Sequence, residues 1–383
     1  MGRNTVAAGL ILCVTLIMPP TIARAQYAPT VDISMIHEAH HAMEKGVDFL
    51  RSTRMDDGSW SSYPAITALV VTALLRCPDN VVDPGDPMIE RGCAFVVSNV
   101  QPDGGIYTQD PMRSYNTAIC LMALVESANP VYHDIITRAR EYLIMQQADE
   151  RVGYDTVDSL YGGFGYGGDE RPDLSNLQVA IETLAESESY EDISEADLKT
   201  VGGVDHKTGR RPYYEKAVIF LTRCQNLKST NPYNFATNDG GFMYYPGNSK
   251  AGDTSSYASM TYAGLKSFIY ANVDRDDERV KAAYGWITRN YSVTENPGIG
   301  SDGLFYYYHT MSKALNIYGT DFIVTVDGVR YNWREDLIRQ LATIQKDDGS
   351  WANDNARWWE SNKDLVTAYA ILSLLNAGWP AGD

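Results

Sequence analysis

Beyond its first 25 residues the 383-residue chain has no apolar run long enough to span a membrane, which excludes a helical transmembrane protein. Basic residues are scarce: 32 Lys and Arg face 49 Asp and Glu, for a formal net charge of −17. That field repels nucleic acid and anionic membranes, and it disfavours polyanionic substrates unless a local basic pocket compensates. The chain has five cysteines, and none belongs to a CxxC or Cys/His cluster, so no structural zinc is expected. Nor does any stretch alternate convincingly between apolar and polar residues, as a half-buried strand would.

What the first 25 residues do contain is Arg3, an apolar run from Val6 to Met18, and a small-x-small end at Ala23-Arg24-Ala25. This is the pattern of a secretory signal cleaved before Gln26, and it predicts a protein exported to the periplasm or the extracellular space. Leu12 before Cys13 is too large for lipoprotein processing. Cys77 and Cys93 flank one loop, so in an oxidising compartment a disulfide between them and two free thiols are both open. Cys120 and Cys224 lie in apolar helical patterns, where a buried thiol is the ordinary outcome.

The remaining length is large for one core unless repeated units build it up. "RMDDGSWSS" at 54–62 and "IQKDDGSWAN" at 344–353 are nearly the same text, and four further turns share the plan of Gly followed by an aromatic residue. They are Gly105-Ile106-Tyr107, Gly163-Phe164, Gly241-Phe242 and Gly303-Leu304-Phe305. A helical segment precedes each turn and a more apolar one follows, with apolar residues spaced by three and four. The units fall at about 42–76, 89–128, 135–187, 213–272, 277–319 and 333–377. Second helices apolar on nearly all sides predict an inner layer covered by an outer one. The expected fold is a single all-α ring of six helical hairpins, an α/α toroid, with an open helical solenoid as the alternative.

Gln345-x3-Gly349-x-Trp351 resembles the QW repeat of squalene and terpene cyclases. Gln101-x3-Gly105-x-Tyr107 matches it with tyrosine, and Arg54-x3-Gly58-x-Trp60 with arginine in place of glutamine. The resemblance covers roughly residues 40–377 and implies the toroid shared by triterpene cyclases and protein prenyltransferase β subunits. In the latter, an Asp-x-Cys at one inner-helix start and a His in the next repeat hold zinc. Here Asp253 and the His309 of Tyr308-His309-Thr310 match, but the cysteine position is Ser255, so no cofactor is expected and Asp253 with His309 is an incomplete metal pair. Asp274-Arg275-Asp276-Asp277 spells the DxDD proton donor of class II cyclases. It stands before an outer helix rather than at the start of an inner one, which predicts helix capping.

Aligned inner helices give one column reading Ala68, Ala118, Gln178, Ser259, His309, Ala368 and, one turn on, Thr72, Met122, Glu182, Ala263, Lys313, Leu372. Repeats 3 to 5 carry the polar residues, which predicts that they face a central cavity, the alternative being that Glu182 and Lys313 pair with each other. The Tyr/Gly-rich insertions at 153–173 and 229–253 fall in repeats 3 and 4 and suit a binding rim. The candidate site is therefore Glu182, Asp253 and His309 as acid or base, with Gln178, Tyr257, Ser259, Tyr262, Tyr308, Lys313 and Trp358 around the ligand. Three functions fit. The first is an enzyme acting on an isoprenoid or similar apolar ligand. The second is a carbohydrate-active lyase or hydrolase, with His309 or Tyr262 as base, Glu182 as acid and Lys313 neutralising a uronate. The third is a noncatalytic binding scaffold of the cell envelope.

Overall fold

The structure is a computed structural model that describes residues 28, 30–109, 112–167, 171–191 and 211–379. The expected signal segment lies outside the described residues. Twelve α-helices alternate along them: α1 (Ile33–Thr53), α2 (Pro64–Arg76), α3 (Pro87–Ser98), α4 (Arg113–Glu126), α5 (His133–Met145), α6 (Leu174–Glu186), α7 (Pro212–Cys224), α8 (Ala258–Tyr270), α9 (Glu278–Asn290), α10 (Leu304–Tyr318), α11 (Trp333–Ile344) and α12 (Lys363–Gly378). None is long and apolar enough to cross a membrane.

Burial separates the two layers as the apolar patterning requires. In α2 every residue from Pro64 to Leu74 is buried, and in α12 every residue from Leu365 to Gly378. In α9 burial is confined to one stripe, Val280, Ala283, Trp286 and Ile287, as for a helix with one face in water. The even-numbered helices form the inner layer, each packing on the next, and α12 packs on both α10 and α2. That last contact closes the ring and removes the open solenoid as an alternative. The outer layer closes too, since α11 packs on α1, and Gln345 at the end of α11 donates to the carbonyl of Ala42 in α1 at 2.8 Å. Asp32 N–H donates to Glu335 (2.9 Å) and Ala28 N–H to the Gly378 carbonyl (3.1 Å), so both ends of the described chain meet at one seam.

The turn motif forms the joint between units. Gln147, Gln225 and Gln345 each use Nε2 to bridge the carbonyl of their own turn glycine, Gly162, Gly240 or Gly349, and a carbonyl of the next outer helix. Gly349 has φ 84°, and a Cβ there would stand 2.4 Å from the Lys45 carbonyl oxygen, so only glycine permits the approach. Trp351 is fully buried, donates from Nε1 to the Leu341 carbonyl (2.8 Å), and its own N–H is met by the Thr367 hydroxyl of α12 (3.1 Å). Trp60, Ile106 and Phe242 make the same backbone contact with Thr67, Thr117 and Thr261.

One expectation needs correction, and one choice left open by the sequence is decided. A short antiparallel hairpin, β1 (Phe322–Val324) and β2 (Arg330–Asn332), links α10 to α11, where no strand was expected. Only three residues pair on each side, too few for alternation to show, and the Asp327-Gly328 turn closes it. Cys77 and Cys93 are free and buried rather than bridged, and loss of hydration pushes their thiols up to about 12 and about 11.

Candidate functional site

Side chains from inner helices that are not neighbours can meet only near the ring axis, where two layers of such contacts lie below a cavity. Toward the C-terminal ends of the inner helices lies an ionic layer. Glu182 of α6 is buried and pairs with the buried Lys266 of α8 and, at 3.5 Å, with Lys313 of α10. Lys313 reaches Glu186 at 2.7 Å, and Arg76 of α2 reaches Glu126 (2.6 Å) and Glu186 (3.5 Å). Three cations meet three carboxylates, and Tyr270 donates to Glu186 at 3.0 Å. Burial alone would raise the Glu182 carboxyl, but Lys266 and Lys313 overcome it and hold the group down at about 2.

The middle layer is made of uncharged polar groups. Tyr115 of α4 touches Tyr369 of α12, hydroxyl to hydroxyl, at 3.2 Å. The Tyr306 hydroxyl of α10 lies 3.2 Å from both Ser175 Oγ and Gln178 Nε2 of α6. His309 stacks on Tyr369 with centroids 5.4 Å apart, and its Nδ1 has no hydrogen-bond partner. Burial, assisted by the positive charge of Lys266, lowers this imidazole to about 3, so it is neutral at any ordinary pH.

Toward the helix N-termini a cavity of about 520 Å³ opens. Ala65, Ile66, Leu69, Met112, Met260 and Leu365 give it aliphatic surface. Tyr63, Tyr115, Tyr166, Tyr244, Tyr257, Tyr306, Tyr369, Trp358 and Trp359 give it aromatic surface. Glu360 is the one carboxyl among the described residues that line it. Its Oε1 accepts from the Tyr306 N–H at the start of α10 (2.8 Å) and its Oε2 from Asn353 Nδ2 (2.7 Å). Burial nonetheless pushes the group up to about 7.

The ten expected site residues divide among these places. Tyr257, Ser259 and Trp358 line the cavity, and Gln178 lies one hydrogen bond behind Tyr306. Glu182 and Lys313 point inward as the column predicts, but they meet each other and the remaining charges of the ionic layer instead of the cavity. Tyr308 spends its hydroxyl on the Val293 carbonyl (2.7 Å), and Tyr262 packs against Tyr307 away from the cavity wall. Asp253 is exposed on a turn at φ 43°, whereas His309 lies inside the ring. Among the described residues no three His, Cys, Asp or Glu side chains are grouped to hold a metal. In the DxDD spelling, Asp277 caps α9 by accepting from the Arg279 N–H (2.9 Å), and Asp276 pairs with Lys281 (2.8 Å).

No family model matches the chain, and no curated protein sequence matches it significantly. Solved structures do resemble it. The type II terpene cyclase MstE from Scytonema matches at 13% identity and a TM-score of 0.54, over 91% of this chain and 99% of that one. A form of MstE in complex with geranylgeranyl dihydroxybenzoate, its substrate, matches at 13% identity and a TM-score of 0.55 over the same shares. A glycosidase in complex with glucose matches at 11% identity and a TM-score of 0.51, over 91% of this chain and 98% of that one. The fold is an α/α toroid of the terpene-cyclase and glycosidase kind. At these identities the likeness carries the architecture and leaves the chemistry to the residues.

Sequence reasoning missed Glu360, Lys250, Tyr63, Tyr115, Tyr166, Tyr244 and Tyr369 on the cavity wall. A signal for three of them was present, since Tyr166, Tyr244 and Lys250 belong to the two insertions whose tyrosine content stood out.

Proposed function

We propose that the protein binds, and as an enzyme would act on, an isoprenoid or comparably apolar ligand in the cavity at the N-terminal ends of its inner helices. The observation that carries this reading is the wall itself: nine aromatic rings around aliphatic surface, with a single carboxyl that is already engaged. Such a wall gains from apolar burial and from ring contacts. Sugar hydrolysis calls for two carboxyl groups facing the substrate roughly 5 to 9.5 Å apart. Glu182, the second acid that reading needs, is neutralised in the ionic layer.

The repeats are read with it as QW repeats of the terpenoid-cyclase kind, supported by the bridging role of Gln345 and the buried Trp351. Export is part of the same proposal and is supported by the composition of residues 1–25. The test is titration of the protein with farnesol, geranylgeraniol and glucose, followed by the fluorescence of Trp358 and Trp359 at the cavity. Saturable change with the prenyl alcohols, weakened by Leu69→Arg on the cavity wall, is the expected result. Saturation with glucose and silence toward both alcohols would sink the proposal.

A further inference from the structure

In a chain of net charge −17, the cavity is bordered by cations. Lys250 is part of its lining, and its ammonium lies 4.3 Å from the centroid of the Tyr244 ring, also on the wall. No carboxylate among the described residues comes within 4.0 Å of it. The Arg171 guanidinium lies 3.9 Å from the centroid of Tyr245, and Arg357 lies 4.4 Å from that of Trp358. Arg357 also pairs with Asp302. Burial lowers the Lys250 ammonium from its ordinary range, and Arg357 and Arg171 lower it further while the buried Asp173 opposes them. Asp173 is itself occupied, accepting from both the backbone N–H and the side-chain amide of Asn176 at 2.9 Å. Lys250 on the cavity wall thus stands among aromatic rings with two guanidinium groups near enough to lower it, and among the described residues neither it nor Arg171 has a carboxylate within 4.0 Å.

Cations brought together against mutual repulsion lose less when an anion joins them. We infer that the ligand is an amphiphile, its apolar part in the aromatic cavity and a single anionic group, a carboxylate or a phosphate monoester, held at Lys250 with Arg171 and Arg357. The inference rests on the apolar reading of the cavity and adds the headgroup to it. It also meets the condition under which so acidic a protein accepts an anion, namely a local basic pocket. Glu360, whose two oxygens accept from the start of α10 and from Asn353, sets at most one negative charge against the three cations. A charge-assisted contact of this kind favours the anion over its neutral analogue by about tenfold to a hundredfold.

The experiment measures the affinity of the full chain for farnesol, farnesoic acid and farnesyl monophosphate by calorimetry at pH 7.5, at low and high salt. The expected result is that one or both anions bind about tenfold or more tighter than the alcohol. The advantage shrinks with salt and disappears in Lys250→Met. Preference for the acid over the phosphate, or the reverse, identifies the source of the anion. Equal binding of alcohol and anions overturns this inference alone, as does a preference that Lys250→Met leaves intact. Failure of farnesol and both anions to bind overturns the apolar cavity reading and the headgroup assignment with it.

Discussion

Lys266 has no route to water, and Glu182 is its counter-ion. Removing one partner of such a pair leaves an isolated buried charge, so Glu182→Gln is expected to destabilise the fold by about 3–5 kcal/mol. Replacing both partners by apolar residues of similar size, Glu182→Leu with Lys266→Met, is expected to restore most of that loss. Urea unfolding of the two variants checks this, and equal destabilisation in both would count against a structural role for the pair. Because the folded carboxyl is depressed to about 2, its contribution is present above the ordinary glutamate range and lost as pH falls toward 2. His309 and Glu360 titrate with opposite signs. His309 is lowered to about 3, so the unfolded chain binds the extra proton between about 6.5 and 3, and stability rises with pH there by up to about 1.4 kcal/mol per unit. Glu360 is raised to about 7, so the folded chain holds the extra proton between about 4.5 and 7, and stability falls as pH rises there. Relative to the unmodified chain, His309→Asn should therefore steepen the decline of stability between pH 4.5 and 7, and Glu360→Gln should lessen it. Identical profiles for the two variants would contradict both assignments.

At the scale of the element, two glycines make opposite predictions from one substitution. Gly349→Ala forces a positive φ on alanine and drives its Cβ against the Lys45 carbonyl. The cost should exceed the about 1–2 kcal/mol of the left-handed conformation alone. Gly285 lies inside α9, where a Cβ would meet only the end of Arg289 at 3.5 Å, so Gly285→Ala should stabilise by about 0.5–1 kcal/mol. Thermal unfolding of the pair separates a glycine required by a joint from one that is merely tolerated. The same joint explains how much was legible in the sequence. Gln345, Gly349 and Trp351 recur in part because several units hand their chain to the next outer helix in the same way, as at Gln147 and Gln225, and that repetition announces both the ring and its two layers. The cavity obeys no such constraint. Its wall comes from helix starts and from insertions whose conformation follows no repeat register, as at Tyr166, Tyr244, Lys250 and Glu360. Counting along the inner helices reached His309 and Glu182, one and two layers too deep, because a polar residue on an inner face signals only that it needs a partner. For Glu182 the partners are Lys313, in the same column, and Lys266, a residue outside the aligned columns.

For the whole molecule, closure is the property that matters most, because an open array of the same hairpins would leave α2 and α12 each with an uncovered apolar face. In the ring they cover each other, and every inner helix has two inner neighbours. A solenoid opens from its ends, each repeat leaning only on the adjacent ones, whereas a ring has no end to fray. The seam between α12 and α2 should then be equivalent in kind to the other five, and the position of the chain termini should be a matter of connection rather than of stability. Ala28 and Gly378 are already joined by a backbone hydrogen bond of 3.1 Å, while Val326 and Asp327 sit exposed at the tip of the β1–β2 hairpin. A permuted chain that links Trp379 to Ala28 through a short flexible segment and starts at Asp327 is expected to fold, to unfold in one transition by both circular dichroism and tryptophan fluorescence, and to keep its farnesol affinity within a few-fold. A permutant that melts in two steps, with α12 and α1 losing structure first, would mean that the seam is a weak contact and that the molecule behaves as a bent solenoid.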